Sequence, residues 1–302
     1  MKLLGKLPLK VHYFFADLLC FILKDLVRYR REVVTANLSR SFPSMSYREL
    51  HLTIKDFYRH LAEIFAETIW FAGSGGNFDR INSNDMFTVT EMAGLNEALR
   101  NEKGVLVVMS HCGNWELTAN IFNEKIFVEA GGHAFRPDDT YIVYKRVASK
   151  TWDQIFYENR ISSLPDYAGQ TESMDVLRVM LRNKGRQCVY VFPSDQAPYK
   201  QATGYPVGKF LNQETDAMLG GFAAAHKMGF SVAFMDFARA GRGRYRLGFE
   251  LLTQDAALED PIDTMKKYYD ALERSIISDP ANWLWTHKRW KTSRHHKDNR
   301  DE

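Results

Sequence analysis

Apolar residues change their rhythm along the 302-residue chain, and each rhythm predicts a different kind of element. Near the N-terminus, Leu4, Leu7, Val11, Phe14, Phe15, Leu18, Ile22 and Leu26 populate one side of a helix at 100° per residue. Lys2, Lys6, Lys10, Asp17 and Lys24 fall in a narrow opposite arc. Pro8 suits a helix start. Leu50, Ile54, Phe57, Leu61, Ile64, Phe65 and Ile69 recur at spacings of three and four, so residues 28–72 read as helical. Ser41-Phe42-Pro43 interrupts that stretch, and Ser44 or Ser46 is available to cap the next helix. From residue 85 short apolar runs alternate with helical patterns. Strands are expected at 87–90, 105–109, 141–144, 187–192, 231–237 and 245–252. Helices are expected at 95–101, from about 115, at 150–160, 172–183, 216–227 and 262–278. The alternation predicts an α/β fold: a mixed, largely parallel sheet flanked by helices, behind an N-terminal amphipathic helix. No repeat or Pro/Ser-rich linker divides the chain, which suggests one domain over 28–302 preceded by the 1–27 helix.

The N-terminal segment is too interrupted to span a bilayer. Its charge-free runs, 11–16 and 18–23, fall well short of the roughly 20 apolar residues a spanning helix needs. A secretory signal fits poorly too, because Asp17, Lys24 and Asp25 break the apolar region and no small-x-small cleavage site follows. Two readings stay open: a helix lying in the headgroup layer, or one packed on the protein's own core. Charge bears on the choice. The net charge is only +3, but residues 1–60 carry 11 Lys/Arg against 5 Asp/Glu and residues 286–302 carry 6 against 3. Basic ends on an acidic body suit an anionic membrane surface, or are simply two solvated tails. The small net charge gives no case for nucleic acid. A composition of 45% hydrophobic and 25% charged residues excludes disordered, collagen and coiled-coil classes. Three dispersed cysteines, Cys20, Cys112 and Cys188, point to a reducing compartment and no cysteine-rich metal site. Gly73-Ser74-Gly75-Gly76 lacks a following Gly-Lys-Ser/Thr and reads as a turn.

The most informative segment, Ser110-His111-Cys112-Gly113-Asn114-Trp115-Glu116, follows the apolar run 105–109 directly. In α/β sheets the residues just beyond the carboxyl ends of strands line the functional crevice. His111 is therefore a candidate general base, and Glu116, about one turn into the next helix, can hold the other ring nitrogen. Cys112 is the sole nucleophile candidate beside it, and no G-x-S-x-G elbow occurs in the chain. A structural hydrogen-bonding role for His111 remains open, as does metal ligation with Glu116, although further ligands at helical spacing are missing.

His-x4-Glu after an apolar strand resembles the late, lauroyl/myristoyl-type lipid A biosynthesis acyltransferases, relatives of the glycerolipid acyltransferases. Further ordered motifs are similar to that family: Tyr29-Arg30-Arg31 with Asn37-Leu38 and Ser41-Phe42-Pro43, then Val143-Tyr144-Lys145 and Arg160. Phe192-Pro193-Ser194-Asp195-Gln196 and Gly208-Lys209-Phe210 with Thr215 follow. The run Trp283-Leu284-Trp285-Thr286-His287-Lys288-Arg289-Trp290-Lys291 closes the set. Many members have Arg-Pro where this chain has Lys145-Arg146, and Lys lacks the planar bidentate fork of Arg.

The resemblance implies O-acyl transfer from an acyl carrier protein thioester to a hydroxyl of a lipid A precursor, without a further cofactor, a metal or an acyl-enzyme. His111 would be the base and Glu116 its orienter. Arg160, or second Lys145, would stabilise the oxyanion, and Asn114, Lys145, Asp195 and Gln196 would bind substrate. Asp195 and Gln196 also follow an apolar strand, which places them at the same crevice; capping of the next loop is their structural alternative. The expected site of action is the cytoplasmic face of the inner membrane, with Trp290 nearer the bilayer interface than Trp283. Transfer to another glycolipid or phospholipid acceptor, or hydrolysis of a thioester or ester, are the competing functions.

Overall fold

Val105–Met109 becomes β2, the buried middle strand of a seven-stranded sheet. The computed structural model describes residues 4–72, 79–117, 139–144, 149–150, 153–154, 157, 170–172, 175–199 and 204–291. The other strands of the sheet are β1 Phe87–Glu91, β3 Thr140–Tyr144, β4 Gln170–Glu172, β5 Val189–Pro193, β8 Ser231–Gly241 and β9 Arg244–Thr253. Their order is β1-β9-β8-β2-β5-β3-β4. All neighbours are parallel except β8 and β9, which a tight glycine-containing turn joins as an antiparallel hairpin.

Alternation across the pleat explains why the central strands are apolar throughout. Leu106, Val108, Tyr190, Val232 and Phe234 face one core, and Val105, Val107, Met109, Val189, Val191, Ala233 and Met235 face the other. The first core is roofed by α2 Arg31–Ser41, part of α3 Tyr47–Ala72, α7 Gly220–Met228 and α8 Pro261–Ser278. The second receives Trp70 and Phe71 from the end of α3, with Ile81 of α4 Asp79–Ser83 and Leu95 of α5 Ala93–Ala98. The remaining helix on this sheet, α6 Val176–Arg182, buries Val176 and Met180.

The expected caps form. Ser46 and Glu49 make a reciprocal capping box at the start of α3, and Asp260 accepts from the Ile262 amide at the start of α8. Two expectations change. The helix expected over 216–227 starts only at Gly220, because a second sheet intervenes: hairpin β6 Tyr205–Phe210 with β7 Gln213–Ala217. Leu211 and Asn212 both take positive φ, the two-residue turn that matches strand twist, although neither is glycine. The helix expected from residue 115 is a single 3-10 turn, Trp115–Leu117, among the described residues. The 73–76 turn and most of the 150–160 helix lie outside them.

Helix α1, Leu9–Phe21, begins after Pro8 and continues into one turn of π-helix, Ile22–Leu26. It docks by its small and polar side: Ala16 packs with Ala62 and Ala66 of α3, and Leu19 and Cys20 join them. Phe14, Phe15, Leu18, Phe21, Leu26 and Val27 remain exposed. Among the described residues no helix is long and apolar enough to cross a membrane.

Candidate active site

Strands β2 and β5 pair in parallel with Met109 opposite Pro193. Residues two beyond each end, His111 and Asp195, therefore leave the sheet side by side. The ladder extends one step further through the Ser194 amide, which donates to the Met109 carbonyl at 3.0 Å. Asp195 is buried and accepts three hydrogen bonds. His111 Nδ1 lies 2.7 Å from Oδ1, while the His111 amide (3.1 Å) and Trp283 Nε1 (2.8 Å) both reach Oδ2. Burial alone would raise the carboxyl's pKa; the imidazole charge and these donors outweigh it and hold the group at about 2. An ionised carboxylate only accepts, so Nδ1 carries the proton and neutral His111 has its lone pair on Nε2. That nitrogen faces the Gln196 side-chain amide at 3.1 Å. The Trp115 ring meets the imidazole edge-on, with centroids 5.4 Å apart.

The segment carrying His111 is clamped from several sides. Cys112 makes an isolated antiparallel bridge with Trp283, and the Gly113 amide donates to Asn282 Oδ1 at 2.9 Å. Gly113 has φ +59, and a Cβ there would stand 2.8 Å from the Phe237 ring. The turn therefore needs glycine twice over, for conformation and for space. Tyr268 donates to the Met109 carbonyl and Tyr269 to that of Ser194, so α8 braces the ends of both strands.

The predicted site residues do not all converge. His111, Asp195 and Gln196 come together as expected of neighbours at strand ends. The nitrogen expected to be held by Glu116 is held by Asp195, because register brings the aspartate alongside the imidazole. Glu116 is buried and accepts from Trp115 Nε1 at 3.1 Å, so its printed contact braces the ring that abuts His111. Asn114, expected to bind substrate, is fully buried and turned inward, its amide donating to Glu67 at 2.7 Å. The left-handed turn at Gly113 is what points it there. Lys145 and Arg160 lie outside the described residues.

Trp290, expected nearer the membrane interface, is buried and donates to Thr215 Oγ1 at 2.8 Å. Arg289 is buried as well, donating to the Asp216 carbonyl and the Tyr269 hydroxyl, while Lys288 and Lys291 are exposed. The aromatic and basic run is thus a core strap laid across the carboxyl ends of β2 and β5.

That strap supplies residues which local pattern did not single out. Trp283 is the second side chain fixing Asp195. His287 Nε2 accepts from the Ala197 amide at 3.2 Å. Burial lowers its pKa to about 4, against the raising influence of Asp195. Asn37 of α2 donates to the carbonyls of Trp285 and His287, and Arg30 to that of Thr286. The separated Tyr-Arg-Arg, Asn-Leu and Trp-x-Trp motifs therefore form one assembly. The order of motifs along the chain was the available signal, since their contacts span some 250 residues.

Cys112 is buried, and desolvation pushes its thiol well above the ordinary range, the opposite of what a nucleophilic thiolate needs. The arrangement can therefore take a proton at His111 Nε2 and hold the resulting imidazolium against Asp195, without an obvious protein nucleophile beside it. A family model for bacterial lipid A biosynthesis acyltransferases matches residues 1–292. No curated protein matches the sequence. With a strand-end base and nearly its whole length matched, the chain belongs to the bacterial lipid A biosynthesis acyltransferase family, whose members are O-acyltransferases.

Proposed function

We propose that this acyltransferase moves a fatty acyl group from an acyl carrier protein thioester directly to a hydroxyl of a lipid A precursor. The observation that carries the reading is the His111–Asp195 pair, clamped at adjacent parallel strand ends with Nε2 as the free base position. The acceptor hydroxyl displaces the Gln196 amide from Nε2. As its oxygen attacks the thioester carbonyl, the proton passes to Nε2 and Asp195 stabilises the imidazolium. The tetrahedral intermediate then expels the thiolate, so the C–S bond breaks as the ester bond is retained, and His111 returns the proton to sulfur. Glu116 serves this step through Trp115, fixing the ring that limits imidazole rotation. Gln196 holds the base position until acceptor arrives. Arg160 or Lys145 is the proposed oxyanion partner.

The seat of the reaction is proposed to be the anionic cytoplasmic face of the inner membrane. Six large apolar residues along α1 and its continuation are 50–69% exposed on one side of the molecule. Full burial of such a side chain is worth ~1.5–3 kcal/mol, so inserting these half-exposed groups offers roughly 5–9 kcal/mol before ordering costs. Basic residues nearby, among them Lys10, Arg28 and Arg30, suit anionic headgroups.

The direct test incubates purified protein with acyl carrier protein thioester and lipid A precursor and weighs the products by mass spectrometry. Acylated precursor and free carrier thiol are expected; free fatty acid without acylated precursor would instead identify a hydrolase. His111→Ala should lower turnover by at least about 1,000-fold with little change in thermal stability. A near-normal rate would remove His111 as the base. Replacing Phe14, Phe15 and Leu18 with Ser should release the protein from vesicles containing anionic lipid; unchanged binding would refute the membrane seat.

A further inference from the structure

Helix α3 turns three ionisable residues, His60, Glu63 and Glu67, toward the interior at spacings of three and four. Both carboxylates are almost fully buried, at 1% and 0% exposure. Burying a carboxylate is costly unless opposite charge or several donors meet it. Glu63 meets charge: Arg239 reaches Oε2 at 2.8 Å and Arg242 reaches Oε1 at 2.7 Å. Glu67 is answered differently. Its described partners are three neutral donors from three separate parts of the chain. Tyr13 of α1 donates to Oε1 at 3.0 Å, and Tyr245 of β9 and Asn114 both donate to Oε2 at 2.7 Å. Burial holds the Glu67 carboxyl up at about 7, against the lowering effect of these donors.

This site leads in two directions. Asn114 lies three residues after His111, beyond the fixed turn at Gly113, so Glu67 ties down the catalytic segment from the side opposite Asp195. Tyr13 lies on the helix whose other side is exposed and apolar. The tyrosine is itself set firmly: the Arg242 guanidinium covers its ring at 5.1 Å, and Arg242 also pairs with Asp17 one turn along α1. The β8–β9 turn closes on the same hydroxyl, since a Cβ on Gly243 would stand 2.0 Å from it. The N-terminal helix is thus joined to the fold by directional polar contacts, and one of them ends on the carboxylate that holds the catalytic segment.

We infer that Glu67 is a positioning residue for acyl transfer, fixing the 111–116 segment through Asn114 and coupling it to the N-terminal helix through Tyr13. The inference rests on the reading of His111 as the base. It makes the seat of α1 part of the catalytic geometry and not only an attachment device. A shift of α1 that withdraws the Tyr13 hydroxyl leaves Glu67 with two donors, and the cheapest repair is a movement of Asn114 and the turn that carries it.

The test is a double-mutant cycle between Tyr13→Phe and Asn114→Ala, two residues joined only by way of Glu67 in the described contacts, read as kcat and KM for acyl transfer and as unfolding temperature. Asn114→Ala should lower kcat by about 10–100-fold and Tyr13→Phe by about 3–10-fold, each with KM within about threefold of wild type. The double variant should be no slower than Asn114→Ala by more than about twofold, because the second deletion acts on a link already cut. Glu67→Ala should match the double variant, and Glu67→Gln should recover most of that loss by keeping one acceptor and the side-chain shape. Tyr13→Phe removes a single hydroxyl and keeps the cycle informative if Glu67→Ala does not fold. Losses that simply multiply, or wild-type kcat in both single variants alongside a lower unfolding temperature, would overturn the inference and leave Glu67 a scaffold residue. A normal rate in His111→Ala faults the base assignment instead; the cycle still reports separately whether Tyr13 and Asn114 are coupled.

Discussion

Replacing Asp195 with Asn should abolish most activity while preserving the shape of the site, and the hydrogen bonds explain why. The carboxylate takes three donors: His111 Nδ1 on Oδ1, and the His111 amide with Trp283 Nε1 on Oδ2. An asparagine has one acceptor oxygen and one NH2 group. The oxygen will settle where two donors converge, at the Oδ2 position, which turns the NH2 toward His111 Nδ1. Two donors cannot face each other, so the imidazole must move its proton to Nε2 and present a lone pair at Nδ1. The base position is then occupied by a proton, and the charge that stabilised the imidazolium is gone. In Ser-His-Asp triads the same exchange lowers turnover by about 10,000-fold. A loss of about 1,000–10,000-fold is expected here, equivalent to ~4–5.5 kcal/mol in the barrier. Stability should fall far less, by roughly 1–3 kcal/mol, because two of the three hydrogen bonds survive. The pH dependence has a definite sign. The folded-state pKa of Asp195, about 2, is below its ordinary value of 3.8. Its contribution is complete above the unfolded value and is lost as pH falls toward 2, so the carboxylate is fully ionised in any neutral assay. Single-turnover acyl transfer measures the loss, and nitrogen-15 chemical shifts of His111 report the tautomer. Turnover within tenfold of wild type, with the proton still on Nδ1, would refute the argument.

Other consequences are more local. Gly113→Ala combines a positive φ with a Cβ 2.8 Å from the Phe237 ring, so it should cost about 1–3 kcal/mol by thermal or denaturant unfolding and lower kcat more than it raises KM; unchanged stability would mean the loop yields freely. Cys112→Ser should remain within a few-fold of wild-type turnover, because the buried thiol is held protonated; complete loss with normal folding would favour a covalent acyl-enzyme. His287 is held at about 4, below its ordinary 6.5, so the unfolded chain binds more protons between those values and stability falls as pH drops from 6.5 toward 4. His287→Gln, which keeps an acceptor for the Ala197 amide, should make that decline shallower in unfolding temperatures measured across the window, and an unaltered slope would remove His287 as a contributor.

Periodicity alone located β2, α3, α8 and the β8–β9 pair within a few residues, because each buries a continuous stripe or an entire strand and burial writes itself into local order. It also placed His111, Asp195 and Gln196 at strand ends, where α/β sheets put their chemistry. It failed where a side chain's partner lies far along the chain. Glu116 was the nearest carboxylate to His111 in sequence, but parallel register gave Nδ1 to Asp195, 84 residues away. The Trp-rich C-terminal run has the composition of a membrane interface, yet its indoles are buried, two of them donating to Asp195 and Thr215, because the strap crosses the sheet's carboxyl edge. Asn114 looked like a substrate ligand until the left-handed turn at Gly113 directed it to Glu67. The β6–β7 hairpin escaped notice because Leu211-Asn212 carries no glycine. Sequence by itself determined the α/β class, the amphipathic entry helix and the strand ends at which a base would sit, since those follow from patterns a few residues long. Only tertiary structure decided which carboxylate serves which base, which face of α1 is covered and how that helix reaches the catalytic segment, because hydrogen bonds are set by register and packing between elements.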